Sequence, residues 1–222
     1  MLDIGVIIQA PMEDEEWLKK CALMGLITVA VMFIPIAGPV MSSLNALGWM
    51  RTYADARLRG EKQLPAPSLS YMGTGWKLFL MYLPVAGVLI AAYAVVGGTV
   101  AAGAALKIQA LVAIGTIIGV VLLVPLILWL SVMSPGILFL NIVQNEPWAS
   151  MQLKKQWRLM TATGTEYLLF WVAILVAGVI MEIGVVACGI GLIVSLPYGY
   201  AMYGAAIAEF AKAAKDRIPA PG

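Results

Sequence analysis

The uncharged apolar run from Leu111 to Met133 constrains the fold of this chain most. At about 1.5 Å of rise per residue, a helix of this length covers the ~30 Å hydrocarbon layer of a bilayer. Helices satisfy the backbone there because every peptide group bonds within its own segment. With 62% hydrophobic and 12% charged residues, the chain is predicted to be an integral membrane protein. The predicted fold is all-α, a polytopic transmembrane helical bundle with five to six membrane segments.

The segments are predicted to form a single transmembrane domain over residues 1–222. An interfacial helix (1–20) precedes a broken first segment or hairpin (21–50) and a basic cytoplasmic loop (51–77). Four spans follow, at 78–96, 111–133, 167–187 and 192–210, and then a cytoplasmic tail (211–222). The sequence CGIG at 188–191 predicts a tight turn between the last two spans.

The first segment is interrupted by IPIAGP, Ile34 to Pro39. Pro35 and Pro39 each remove a backbone donor, so the segment is either one kinked span or a hairpin that dips into the membrane and returns. About thirty residues are too few for two full spans, which need about forty. Span length favours the kinked span, whereas the charges of Lys19 and Lys20 favour the hairpin.

Basic residues set the predicted orientation, because cytoplasmic loops are enriched in Lys and Arg. The 51–77 loop, the 141–166 loop and the tail hold most of them, so all three are predicted to be cytoplasmic. The 97–108 link, which contains Lys107, is then external. The acidic group at 13–16 and the absence of a basic leading region predict that the amino terminus is not a secretory signal.

Residues 145–160, NEPWASMQLKKQWRLM, predict an interfacial amphipathic helix. Trp148, Met151 and Trp157 offer an apolar side. Contact with anionic lipid headgroups, or with a cytoplasmic partner, is predicted for six basic residues: Arg51, Arg57, Arg59, Lys154, Lys155 and Arg158. The net charge of +2 is too small to indicate nucleic acid as a partner.

Glu182 is the sharpest candidate for an intramembrane polar site, because acids within spans are costly and commonly functional. It is predicted to pair with Lys107 or to be protonated and hydrogen-bonded. A structural tie, a proton or ion relay and a subunit contact are the alternatives. Gly178 lies on the same helix face, and Gly115 and Gly119 form GxxxG. Such small residues favour close helix packing, either within the bundle or between subunits.

Enzymatic patterns are absent from the sequence. The chain has no His, and Cys21 and Cys188 lack metal or redox spacing. No Ser/His/Asp set, phosphate-binding loop or dinucleotide motif occurs. No cofactor or metal is predicted. The predicted function is that of a non-catalytic subunit or scaffold of a membrane assembly, with other subunits or further copies as partners. The alternative is a channel or transporter for a small or amphipathic solute.

Two stretches carry a family resemblance: EDEEWLKKCALMGLI and GWMRTYADARLRGEKQLPAPSLSYMGTGWKLFL. They resemble the uncharacterised prokaryotic membrane-protein family catalogued as domain of unknown function 4013. The carboxyl half is similar, more loosely, to a wider group of six-helix membrane proteins. The resemblance implies the prokaryotic cytoplasmic (inner) membrane and a short first hairpin with both termini cytoplasmic. It implies no chemistry.

Overall fold

The computed structural model describes residues 2–146, 148–186 and 191–217, except for the side chains of residues 185 and 186. Every regular element among them is helical. The α-helices are α1 (Ile4–Gln9), α2 (Trp17–Met32), α3 (Gly38–Leu58), α4 (Met72–Ala105), α5 (Gln109–Ile142), α6 (Leu153–Thr163), α7 (Thr165–Val186) and α8 (Leu192–Ala213). Short 3₁₀ turns lie at Ala10–Glu13 and Ala149–Met151. The predicted 188–191 turn with Cys188, and the tail end at 218–222, fall outside the described residues.

The chain divides into two compact units. Unit 1 comprises Met1–Met81 and Pro135–Gly222, and unit 2 comprises Tyr82–Ser134. The unit boundaries fall within helices α4 and α5, so each helix contributes residues to both units. Each of these helices is 34 residues long. At about 1.5 Å per residue each is about 50 Å long, well beyond the hydrocarbon layer. The predicted spans 78–96 and 111–133 are therefore the middle parts of longer helices.

Helix α8 forms the centre of unit 1 and packs against α2, α3 and α7. Its inner positions are mostly alanine and glycine, which let neighbouring backbones approach closely. Ala201, Ala205 and Ala208 are fully buried. Near its carboxyl end, the Phe210 ring stacks on Phe170 of α7, with centroids 4.6 Å apart. Small side chains along one helix thus allow three others to surround it.

The amino-terminal segment is part of the core of unit 1 and not a free interfacial helix. Ile7 and Ala10 are fully buried. Two tyrosine hydroxyls hold the backbone of this segment: Tyr53 of α3 donates to the Ala10 carbonyl over 3.0 Å, and Tyr198 of α8 donates to the Ile8 carbonyl over 2.6 Å. The sequence suggested a surface location for this segment because four acidic residues are clustered at 13–16.

The broken first segment consists of two helices that fold back on one another. Helix α2 ends at Met32, α3 begins at Gly38, and the two helices pack together. This folding back is the arrangement that the hairpin alternative requires, whereas the entry of the hairpin into the membrane stays a prediction. Its tip is apolar and exposed: Phe33 is 82% and Ile36 97% accessible. Ile36 also adopts φ 64°, a left-handed conformation that is uncommon for a β-branched residue.

Unit 2 is an antiparallel pair formed by the later part of α4 and the earlier part of α5. The GxxxG glycines of α5 lie in this contact. A Cβ added at Gly115 would meet the Val100 side chain at 2.8 Å, and one at Gly119 would meet Val96 at 2.9 Å. The two glycines therefore serve packing inside unit 2, one of the two interpretations that the sequence allowed.

Three of the described helices have stretches long and apolar enough to cross a membrane: Met72–Ala105, Gln109–Ile142 and Thr165–Gly184. They support a multi-pass membrane protein. Helix α8 and the α2–α3 hairpin are not among them, so a total of five to six segments stays a prediction.

The crossing of α3 with the start of α4 generates a stability prediction. A Cβ at Gly75 would lie 1.7 Å from the Leu44 carbonyl oxygen, whereas one at Gly73 would meet nothing within 4 Å. We expect Gly75→Ala to destabilise the protein by about 2–3 kcal/mol or more, because the helices must separate. Gly73→Ala should be neutral or slightly stabilising. Thermal unfolding in detergent measures both, and equal stability of the two variants would rule out the close crossing.

Candidate functional site

A small cavity in unit 1 lies where α3, the start of α4 and the end of α5 meet. Its volume is about 240 Å³. The lining combines two cations, two amides and two apolar side chains: Arg51, Lys77, Leu80, Asn141, Asn145 and Trp148. We call this cavity the basic pocket. It brings Arg51 together with Lys77, Asn141, Asn145 and Trp148. Of these, the sequence singled out Arg51 as a basic contact residue and Trp148 as part of an apolar side.

Arg51 is held in the basic pocket by neutral partners. Its side chain is buried, and its guanidinium donates to Asn141 Oδ1 over 3.2 Å and to Asn145 Oδ1 over 3.0 Å. A guanidinium carries five N–H donors. These two bonds fix its orientation, and the remaining N–H groups can donate to a ligand. The amide oxygens do not neutralise its charge.

No carboxylate within the described residues lies at ion-pair distance from Arg51 or Lys77. Asp55, one helical turn from Arg51, acts on it only at longer range. Burial of a charge without an opposite charge is costly. The basic pocket therefore has the charge needed to bind an anion.

Arg57 shows the contrasting arrangement, six residues further along α3. Its guanidinium, only 7% exposed, binds Glu13 at 2.7 Å and Glu209 at 3.3 Å. These contacts tie the amino-terminal segment, α3 and α8 together. Partial burial opposes the ionisation of Glu13, but the hydrogen bond and charge of Arg57 hold the pKa of Glu13 below its ordinary value. Arg57 is thus engaged inside the protein, which disfavours the predicted headgroup contact at this residue.

Asp14 is a buried acid of the amino-terminal segment. It accepts a hydrogen bond from the Lys20 ammonium at 2.7 Å and another from the Leu64 backbone N–H at 2.7 Å. Burial alone would raise the pKa of Asp14, but these donors, with the Glu16 backbone N–H, lower it below the ordinary 3.8. Asp14 therefore fastens the 59–71 loop to the start of α2.

The remaining predicted basic residues are at the surface. Arg59 pairs with Glu61 at 2.7 Å, and Lys155 pairs with Glu146. Lys154 and Arg158 are exposed on α6, next to Trp157, which is 58% accessible. Helix α6 begins at Leu153. Asn145 lies ahead of it, and its side chain holds Arg51.

The predicted intramembrane polar residues lie in different units. Lys107 is exposed in the α4–α5 turn of unit 2, with φ 56°. Glu182 is exposed on α7 of unit 1. Their pairing stays a prediction. Gly178 faces α8, since a Cβ there would lie 3.5 Å from the Tyr203 hydroxyl. Within the described residues no group of three or more His, Cys, Asp or Glu is placed to hold a metal ion.

A feature that sequence reasoning missed lies on α4 in unit 2. Six small residues, all exposed, recur at alternating steps of four and three: Gly87, Ala91, Ala94, Gly98, Ala101 and Ala105. We call them the small-residue face. The spacing was readable in the sequence as a heptad pattern, but the abundance of Gly and Ala in this region hid it.

Comparison of the chain with models of protein families, with curated proteins and with solved structures gives no match. The family resemblance of the 13–27 and 48–80 stretches therefore stays a prediction.

The lowered pKa of Asp14 generates a prediction of pH dependence. Because its folded-state pKa lies below 3.8, its stabilisation is fully present above that value and is lost as the pH falls through the folded-state pKa. We expect Asp14→Asn to lower the free energy of unfolding at pH 7 by about 1–3 kcal/mol. The difference in free energy of unfolding between Asp14→Asn and wild type should narrow at acidic pH.

Thermal unfolding in detergent between neutral and acidic pH is the measurement. Glu15→Gln, which removes the same charge at an exposed neighbouring position, is the control and should stay within about 0.5 kcal/mol of wild type. A gap that does not depend on pH would show that the charge of Asp14 is not what stabilises the fold.

Proposed function

We propose that this protein is a non-catalytic subunit of an integral membrane assembly. In this proposal, the small-residue face of α4 binds a transmembrane helix of another subunit. The observation that carries the proposal is that this face is exposed and lies opposite the face of α4 that packs on α5.

The two faces of α4 differ in what covers them. Val96 and Val100, with Gly103 further along, meet α5. At 100° per residue, Gly98 and Ala94 project on the opposite side of the helix. Nothing lies within 4 Å of a Cβ built at Gly98 or at Gly87. The described part of the chain therefore leaves the small-residue face uncovered.

Helix α5 shows what a lipid-facing surface looks like in this unit. Many of its exposed side chains are large, including Ile117 at 61%, Val121 at 68% and Leu128 at 62% accessible. Lipid tails are as apolar as these side chains, so they solvate bulky residues well. Helix association in lipid instead depends on close packing, which small residues permit. The contrast between α4 and α5 favours a protein neighbour for α4.

The spacing of the small-residue face also favours a helix as that neighbour. A repeat of alternating three and four residues keeps one seam facing a partner when two helices cross at a small left-handed angle. The seam runs from Gly87 to Ala105, about five turns. Because a two-fold contact uses the same patch on both chains, a second copy of this chain is the simplest partner.

Lipid contacts complete the proposal. Trp157, Lys154 and Arg158 form an exposed aromatic and basic surface on α6, which suits anionic headgroups. The distribution of basic residues supports a cytoplasmic location for the 51–77 loop, the 141–166 loop and the carboxyl terminus. A prokaryotic cytoplasmic membrane is the proposed location.

A second candidate function, a channel or transporter for a small or amphipathic solute, is favoured by the α2–α3 hairpin. Helices broken within the membrane are typical of transport sites, and here the break leaves residues 33–37 non-helical. Solute flux in proteoliposomes that depends on the hairpin would support this function over that of a subunit.

The subunit proposal predicts the effect of a bulky side chain on the small-residue face. Ala94→Leu should dissociate the assembly, because leucine keeps the helix propensity but separates the helices. Ala113→Leu makes the same change at an exposed position of α5 and should leave the assembly intact. Native mass spectrometry from mild detergent measures the state of both variants.

A homo-oligomer or a complex with another membrane protein that is lost only in Ala94→Leu supports the proposal, and the mass identifies the partner. A monomeric wild type without copurifying membrane proteins contradicts it. So does an assembly that survives Ala94→Leu.

A further inference from the structure

We propose that the basic pocket is a binding site for a phosphate group, carried either by an anionic phospholipid or by a small soluble ligand. The site is independent of the small-residue face. Its members belong to unit 1, and the proposal does not depend on assembly.

The charge of the basic pocket favours an anionic ligand. Arg51 and Lys77 bring two positive charges to one cavity, and no described carboxylate pairs with either. The same helix shows the alternative: Arg57 is neutralised by two glutamates. The chain therefore has the means to pair a buried arginine and leaves Arg51 with neutral partners. A bound anion would supply the missing charge.

The fixed orientation of the Arg51 guanidinium favours a phosphate group. Asn141 and Asn145 hold two separate nitrogens of the Arg51 guanidinium, so the planar group is fixed before any ligand arrives. Asn145 takes up φ 57° to do so. A fixed guanidinium matches tetrahedral oxyanions such as phosphate, which it can bind through two parallel hydrogen bonds. Lys77 adds a flexible point charge to the same cavity.

The position of the basic pocket at the ends of two apolar helices favours a lipid headgroup. The pocket lies beside the starting turns of α4 and the end of α5, where two apolar helices begin and end. Trp148 at the pocket is 52% accessible, and Trp76 next to Lys77 is 48% accessible. Exposed tryptophans are typical of the headgroup level of a bilayer. At about 240 Å³, the cavity is smaller than the ~300–1,000 Å³ pockets of drug-sized ligands, which suits a headgroup.

The test uses the full chain in detergent and native mass spectrometry with added phosphatidylglycerol or phosphatidylcholine. In parallel, thermal unfolding with and without inorganic phosphate measures whether phosphate stabilises the protein. We expect preferential retention of phosphatidylglycerol by wild type. Lys77→Gln should weaken this retention about tenfold, since it removes one charge-assisted contact, and Lys77→Arg should restore it. Lys215→Gln, at an exposed site outside both the pocket and the α6 surface, is the control and should bind as wild type does.

Arg51→Gln should abolish binding, and its thermal unfolding shows whether the variant is folded. Lys77 is exposed at the pocket, so the Lys77 variants carry the test if Arg51→Gln does not fold. Retention of phosphatidylglycerol that depends on Lys77 supports a lipid headgroup. Stabilisation by inorganic phosphate that depends on Lys77 supports a soluble phosphate ligand. Equal retention of both lipids together with no Lys77-dependent stabilisation by inorganic phosphate overturns the proposal. Binding unaffected by Lys77→Gln in both arms overturns it as well.

Discussion

Close approach of helix backbones is the constraint on which the rest of the structure depends. Lipid offers helices no hydrophobic force towards one another, so packing must hold them. In unit 1, the alanines and glycines of α8 let α2, α3 and α7 surround it, and Gly75 lets α4 cross the Leu44 carbonyl of α3. In unit 2, Gly115 and Gly119 do the same for α4 and α5. The small-residue face has the same kind of side chains, but no described residue of this chain covers it.

The charged residues of unit 1 divide into two kinds. Arg57 and Asp14 have opposite charges beside them and fasten the amino-terminal segment and the 59–71 loop to the helices. Arg51 has amide oxygens beside it and keeps its charge. The distinction matters because a neutralised buried ion is a structural tie, whereas an oriented but uncompensated ion attracts a ligand. Two arginines six residues apart on one helix thus have different roles.

Sequence reasoning predicted the features that local chemistry determines. The apolar runs gave the all-helical fold and the regions of α4, α5 and α7, and Pro35 and Pro39 gave the break between α2 and α3. Features that depend on distant residues were out of reach. Arg57 was expected at the surface because its glutamates lie 44 and 152 residues away in sequence. Nothing local in the sequence indicates that Asn141 and Asn145 both face Arg51. The length of α4 was underestimated because its Gly- and Ala-rich second half resembles a link.

The central claim is that α4 presents the small-residue face to another transmembrane helix. Disulfide cross-linking in native membranes tests it most directly, with single cysteines placed in turn at each position from 85 to 105 in a chain whose Cys21 and Cys188 are replaced. The account predicts cross-linked dimers, or links to one other membrane protein bearing a matching cysteine, at 87, 91, 94, 98, 101 and 105. Intervening positions should react weakly, which gives a period of about 3.5 residues. Cross-linking that shows no periodicity, or that peaks on the face towards Val96 and Val100, would contradict it.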